Sequence, residues 1–195
     1  MAITTVNGAL DALFARVRDT SQAAHGDVAL DVLSDVQRLV NACYGAVLVD
    51  DTLAMTANQT VYSYGDVASD IVRIVDVQAL GHSLDRTMWR ALSGELPAWV
   101  HQNGQPRVWD TLGHNTLFIA PSDPTVTLTI RYIKECAALT AGGSFEVPAP
   151  YVTLCIDIAA EVLLLRQRLF PSIEEAANAA NRHSDPRSLP KGMEP

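Results

Sequence analysis

The stretch VTLTIRY at positions 126–132 decides the fold. Val126, Leu128, Ile130 and Tyr132 alternate with Thr127, Thr129 and Arg131. That period of two puts the apolar set on one face of a pleated strand and the polar set in water. Working outward, Ile71 to Ala79 (IVRIVDVQA) is β-branched and nearly continuous, which predicts a strand that is more fully buried. Arg107 to Thr111 and Thr116 to Ile119 flank Gly113, His114 and Asn115, where Gly and Asn are expected to supply the positive φ of a tight hairpin. Ala120 to Pro124 (APSDP) makes a second reversal. Residues 56–135 thus read as an antiparallel β unit set between two helical regions.

Towards the N-terminus, Val6, Leu10, Leu13 or Phe14, and Val17 recur at helical spacing between Thr5 and about Thr20. A break from Ser21 to Gly26 follows, and Asp27 is the expected N-cap of a second helix. Its stripe is Leu30, Leu33, Val36 or Gln37, and Val40, and it ends at Tyr44 before Gly45. Two helices joined by a short break are expected to pack as an antiparallel pair. Ala46 to Met55 reads as a connection, with at most a short strand at 47–49 and Asp50-Asp51 in a turn. Asp85 to Gly94 reads as a helical turn or two.

Towards the C-terminus, Pro148 and Pro150 lead into what reads as the longest helix, because Pro is tolerated where first-turn amides have no partner. Tyr151, Leu154, Cys155, Ile158, Val162, Leu165 and Leu169 form its stripe, widened by Ile156, Leu163 and Leu164. So broad an apolar surface calls for cover on several sides, by the centre of a bundle or by a neighbouring subunit. Pro171 stops that helix, and Ser172 to Glu175 fits a capping box for a short Ala-rich helix to about Asn181. Residues 183–195 have three prolines and no periodicity, so they read as an extended segment that orders against a partner. The fold expected is α+β. A helical bundle (1–50 and 146–181) carries an inserted antiparallel β-sandwich or barrel-like lobe (51–145) and an extended tail (182–195).

Composition narrows the function. The 195 residues are 48% hydrophobic with 18% charged, ordinary for a folded protein, and the net charge is −8. That balance argues against wrapping nucleic acid, which needs clustered Lys and Arg. Cys43, Cys136 and Cys155 are odd in number and widely spaced, so neither a disulfide framework nor a zinc site is expected, and a reducing cytosol is. The start Met1-Ala2-Ile3-Thr4 lacks the basic and apolar regions of a signal peptide. Tyr151 to Phe170 is too charged to span a bilayer, given Asp157, Glu161 and Arg166.

Chemistry-bearing patterns are sparse. Trp89, Trp99 and Trp109 could form an aromatic platform for a sugar or base, but they read first as core or interface anchors. His25, His82, His101, His114 and His183 include no pair at metal-ligand spacing. Ser93-Gly94 and Gly143-Ser144 do not form a nucleophile elbow, and Cys155 falls on a helical apolar stripe. Asp50-Asp51 and Glu174-Glu175 read as solvated or helix-start carboxylates. No cofactor, metal or enzymatic activity is expected.

An ordered run of short motifs remains. Asn58-Gln59-Thr60-Val61-Tyr62 precedes the strand 71–79. Ser83-Leu84-Asp85, Pro97-Ala98-Trp99, Asn103-Gly104-Gln105-Pro106 and Trp109 follow. Then come Leu117 to Pro124, Ile130-Arg131-Tyr132, and Val147-Pro148 leading to Tyr151 and the long helix. In this order the chain resembles tailed-bacteriophage head-to-tail adaptors, also called neck, connector or head-completion proteins, over roughly residues 27–170. Tyr64-Gly65-Asp66 departs from the Leu-Pro turn common in that family. The resemblance implies a homo-oligomeric ring, typically twelve-fold, below the portal protein in the phage neck and assembled in the host cytoplasm. A downstream neck or tail protein would dock beneath it, and genomic DNA would pass through without specific binding. It further implies a C-terminal segment that grips the portal, here Arg182, His183, Pro186, Arg187, Leu189 and Lys191. Tyr151, Leu154, Ile158, Val162, Leu165 and Leu169 would pack subunits or core, and Trp89, Trp99 and Trp109 would serve interfaces. Rival readings are a stopper or tail-terminator protein and, more distantly, a carbohydrate- or ligand-binding β module.

Overall fold

A strand that alternates apolar and polar residues needs a partner on each hydrogen-bonding edge and a core beneath it. The computed structural model, which describes residues 5–17, 22–88 and 103–169, gives 127–134 both. The chain forms two compact units. One draws on the described residues within Met1–Gln37, Ala138–Phe145 and Ala149–Pro195, and the other on those within Arg38–Ala137 and Glu146–Pro148. The fold is α+β.

In the first unit, α1 (Val6–Val17) buries Val6, Ala9, Leu13, Phe14 and Val17, as its spacing predicts. Its start is tied to a later loop, with the Val6 amide donating to the Gly143 carbonyl at 3.0 Å and the Gly142 amide to Asn7 Oδ1 at 3.1 Å. The next helix, α2 (Gln22–Tyr44), overturns the predicted break and N-cap. Gly26 and Asp27 lie inside it. Ala23 and Ala24 favour helix, and one interior Gly costs only about 1 kcal/mol relative to Ala. Ala29, Val32, Leu33 and Val36 are buried along α2. Ser34 Oγ donates to the Leu30 carbonyl and accepts the Leu139 amide at 3.0 Å, so the polar group carries no unmet hydrogen bond. Within the described residues α3 (Ala149–Leu169) has 21 residues and α2 has 23. α1 packs on α3, where Arg16 and Asp157 form an ion pair at 2.5 Å. Both partners are exposed, and such pairs stabilise by at most about 1 kcal/mol.

Among its described residues the second unit carries eight strands in two sheets: β1 (Leu48–Ala54), β2 (Val61–Ser63), β3 (Ile71–Ala79), β4 (His82–Ser83), β5 (Asp85–Arg86), β6 (Val108–Leu112), β7 (Thr116–Ala120) and β8 (Thr127–Lys134). One sheet has the order β1-β8-β3-β4 and the other β2-β7-β6-β5, with only the short β5–β6 pair parallel. Val126, Leu128, Ile130 and Tyr132 are buried while Thr127, Thr129 and Arg131 are exposed, as the alternation requires. They share one cluster with Leu53, Ile74 and Val77 of their own sheet and Tyr62, Trp109, Leu117 and Ile119 of the other.

The structure corrects several expectations. Asp50 and Asp51 sit in β1, not in a turn. β3 is a strand but not a buried one: Val72 and Val75 are 41% and 43% exposed, because two register shifts against β8 break its pleat. In the β6–β7 hairpin Gly113 takes φ +68°, whereas Asn115 is not among the positive-φ residues. Asp85 and Arg86 are strand, not helix. Residues 89–94 and 97–99, the stop at Pro171, the helix expected from Ser172 and the tail lie outside the described residues.

Local chemistry fixes the joints. Gly45 ends α2 with φ +63°, its amide donating to the Asn41 carbonyl at 2.8 Å. Asn41, fully buried, donates Nδ2 to the Lys134 carbonyl and accepts the Val47 amide at 2.7 Å, riveting the end of α2 to β8 and to the approach to β1. The divergent Tyr64-Gly65-Asp66 stretch is a 3-10 turn closed by a capping box between Ser63 and Asp66, with Tyr64 buried. Leu80 and Gly81 join β3 to β4 as a two-residue turn with φ +50° and +81°. A left-handed conformation at a branched residue costs roughly 1–2 kcal/mol. Leu80 is exposed and makes little packing in return. Leu80→Asn is therefore expected to raise unfolding free energy by about 0.5–1 kcal/mol, because Asn tolerates this region far better. Urea denaturation checks this, and a lower midpoint would contradict it.

Candidate functional site

The apolar helix offers the first candidate surface. The buried face of α3 is Val152, Cys155, Ile156, Ala159 and Ala160. Of the predicted stripe only Cys155 lies on this face, with Ile156 beside it; Tyr151, Leu154 and Ile158 each stand one position, about 100°, from a buried residue. Tyr151, Leu154, Ile158 and Val162 are half-buried and Leu165 is 52% exposed, while the Leu169 side chain lies outside the described residues. Cys155, Ala159 and Ala160 on the covered side are small, beside Val152 and Ile156, while the partly open side is made of large residues. That arrangement leaves an apolar ridge for another surface to cover.

Trp109 is 2% exposed and belongs to the core cluster. Its Nε1 donates to the Leu84 carbonyl at 3.2 Å, and the Arg86 guanidinium stands 5.1 Å from the ring centroid. Its indole is satisfied and covered, which suits packing rather than an open platform. Trp89, Trp99 and His101 lie outside the described residues, as do Arg182, His183, Pro186, Arg187, Leu189 and Lys191.

Reactive groups are held quiet. Cys136 is buried and its thiol is pushed up to about 11, chiefly by burial and then by the Glu146 charge. At neutral pH it is therefore a thiol and not a nucleophilic thiolate. Cys155 is buried and Cys43 exposed. His82 and His114 are exposed. Among the described residues no group of three His, Cys, Asp or Glu could hold a metal ion. An open hollow of about 300 Å³ is lined by Arg38, Asp70, Lys134, Glu135, Cys136 and Ala137. Its cations are engaged: Arg38 Nε donates to the Cys136 carbonyl at 3.2 Å, and Lys134 lies 3.5 Å from Glu146. Glu146 also accepts the Ala137 amide at 3.2 Å, so these charges brace the end of β8 against residues 146–148.

The exposed face of the β1-β8-β3 sheet carries the most ordered charges. Arg131 makes a bidentate pair with Asp50, Nε to Oδ1 at 2.7 Å and Nη2 to Oδ2 at 2.8 Å. Asp76 lies opposite Arg131 on the other side and is braced by Gln78 and Ser83 at 2.7 and 3.0 Å. The hydrogen bond from Arg131 holds the Asp50 carboxyl below the usual carboxylate range. A depressed folded-state pKa contributes stability above the unfolded value, near 3.9, and loses it as pH falls through the folded value. Asp50 is accordingly expected to titrate below about 3.9 in an NMR pH series and to return towards it in Arg131→Gln. An unchanged midpoint in that variant would show that the pair is not the cause. Sequence reading misses this row because Asp50-Asp51 looks like a turn; the alternation of Asp50 and Thr52 with Val49, Asp51 and Leu53 is the available signal.

No helix among the described residues is long and apolar enough to cross a membrane. No curated protein matches the chain. The family model described as SU10 adaptor protein matches residues 5–185, nearly the whole length, and the chain belongs to that family, in keeping with its resemblance to phage head-to-tail adaptors.

Proposed function

Starting from membership of the adaptor family, we propose that this protein is a structural virion component, a head-to-tail adaptor whose copies close into a ring below the portal. The observation that carries this reading is the family match across residues 5–185. The ring is twelve-fold and sits in the phage neck. The helices form a bundle that builds the ring, with the large residues of the α3 ridge covered by a neighbouring copy. A closed ring repeats one modest interface and leaves no free ends. The β lobe, a sandwich or barrel-like body, projects outward or towards the tail, where a downstream neck or tail protein docks.

The protein works by position, without catalysis and without a cofactor. Its partners are copies of itself, the portal, the next neck or tail protein, and DNA in transit. Asp27, Asp31 and Asp35 are exposed at successive turns of α2, and the net charge is −8. Fixed carboxylates of this kind repel duplex phosphates, which supports passage of the genome without adhesion. The tail, with Arg182, His183, Pro186, Arg187, Leu189 and Lys191, contrasts with this acidic body and reaches the portal, ordering as it docks.

Two variants test the reading against purified portal rings of the same phage. Removal of residues 182–195 is expected to weaken portal binding at least tenfold while ring formation persists in electron micrographs. Ile158→Asp is expected to abolish rings while leaving the fold intact by circular dichroism, since the position is only half-buried. Portal binding independent of the tail, together with rings insensitive to Ile158→Asp, would overturn the proposal.

A further inference from the structure

The outer edge of β1 is an open row of backbone groups. The Lys134 amide donates to the Val47 carbonyl and the Met55 amide to the Val126 carbonyl, each at 3.2 Å. Between them the register from Leu48↔Ile133 to Ala54↔Thr127 is unbroken. In an antiparallel pair the bonded residues alternate, so Val49, Asp51 and Leu53 direct their N–H and C=O groups to β8, as do the Val47 carbonyl and the Met55 amide at the two ends. Leu48, Asp50, Thr52 and Ala54 direct theirs away, and among the described residues β1 ends its sheet with no strand beyond it. The opposite side of the sheet is guarded by the register shifts of β3 and by the short β4. β1 has seven residues, no shift and no proline, the features that leave an edge able to accept another strand. The Thr52 amide is meanwhile bonded at 2.7 Å to its neighbour's carboxylate, Asp51 Oδ1.

Side chains specify what this edge accepts. Across the exposed face the register aligns Asp76, Arg131 and Asp50, so an alternating row of charges ends on an anion at the open edge. The next member of that row is a cation. Two residues along β1, Leu48 is 51% exposed. The fitting strand therefore carries a basic residue and an apolar residue two apart. The chain itself contains such a segment, Arg187-Ser188-Leu189, between Pro186 and Pro190. Both prolines have even numbers, so the amides of His183, Asp185, Arg187 and Leu189 would all face one side of an extended strand.

We propose that residues 183–189 of a second copy add to β1 as an antiparallel strand, with Leu189 opposite Leu48, Arg187 opposite Asp50, Asp185 opposite Thr52 and His183 opposite Ala54. In this register Pro186 and Pro190 stand opposite Asp51 and Val47, where an added strand donates nothing to β1, so their missing N–H groups cost no bond. The inference rests on the proposed role of the tail and adds its regulation. The segment that seeks the portal is held on a neighbouring copy until the portal displaces it.

Hydrogen exchange on the full-length chain tests this. The amides of Leu48, Asp50, Thr52 and Ala54 are expected to be protected at high protein concentration and to lose at least tenfold of that protection on dilution. Leu189→Pro, which removes a needed donor, is expected to cause the same loss, and so is Arg187→Glu. Ser188→Pro, whose amide faces away, is expected to keep the protection. Equal exchange of the four amides in all variants, indifference to dilution, or equal effects of the two prolines would overturn the inference. Equal exchange alongside tail-dependent portal binding would sink the strand and spare the adaptor reading. Tail-independent portal binding with these effects present would keep the added strand and overturn its regulatory role.

Discussion

The register of β8 is the constraint on which the second unit depends. It is hydrogen-bonded to β1 on one side and β3 on the other, and its alternate residues supply much of the shared core. A slip of one residue would send Leu128, Ile130 and Tyr132 into water and bring Thr129 and Arg131 inward. The same register sets Arg131 between Asp50 and Asp76, so packing and surface electrostatics are fixed together. Asn41 extends this to the end of α2 by bonding both Lys134 and Val47, which are themselves paired across the β1–β8 ladder.

Strong periodicity makes part of this architecture legible in advance. The alternation at 126–132, the hairpin around Gly113, the helix of Val6 to Val17 and the end of α2 at Gly45 each follow from one local rule. The failures share a cause as well: a local signal yields to tertiary context. Ser21 to Gly26 looks like a break, yet Gln22 to Gly26 are helical. Asp50-Asp51 looks like a turn, but on an edge strand one carboxylate faces water and meets Arg131. The continuous apolar run of β3 predicts double-sided burial, whereas its register shifts leave Val72 and Val75 open.

The surfaces with the clearest chemical character are harder to read than the fold. Helical spacing picks out the apolar residues of α3, but it cannot show that Val152, Ala159 and Ala160 take the covered side while Leu165 stays open. Trp109 gives no sign in sequence that its indole nitrogen is met by the Leu84 carbonyl within the core. The open backbone row of β1 has no signature of its own, because it depends on which strands are absent from one side.

The cysteines have a practical corollary. Cys136 and Cys155 are shut inside the two units, and the first holds its proton well above neutrality, whereas Cys43 stands open near the end of α2. The native chain thus offers maleimide chemistry a single address, so a fluorophore or spin label can be fixed at one known point on each copy without altering the sequence.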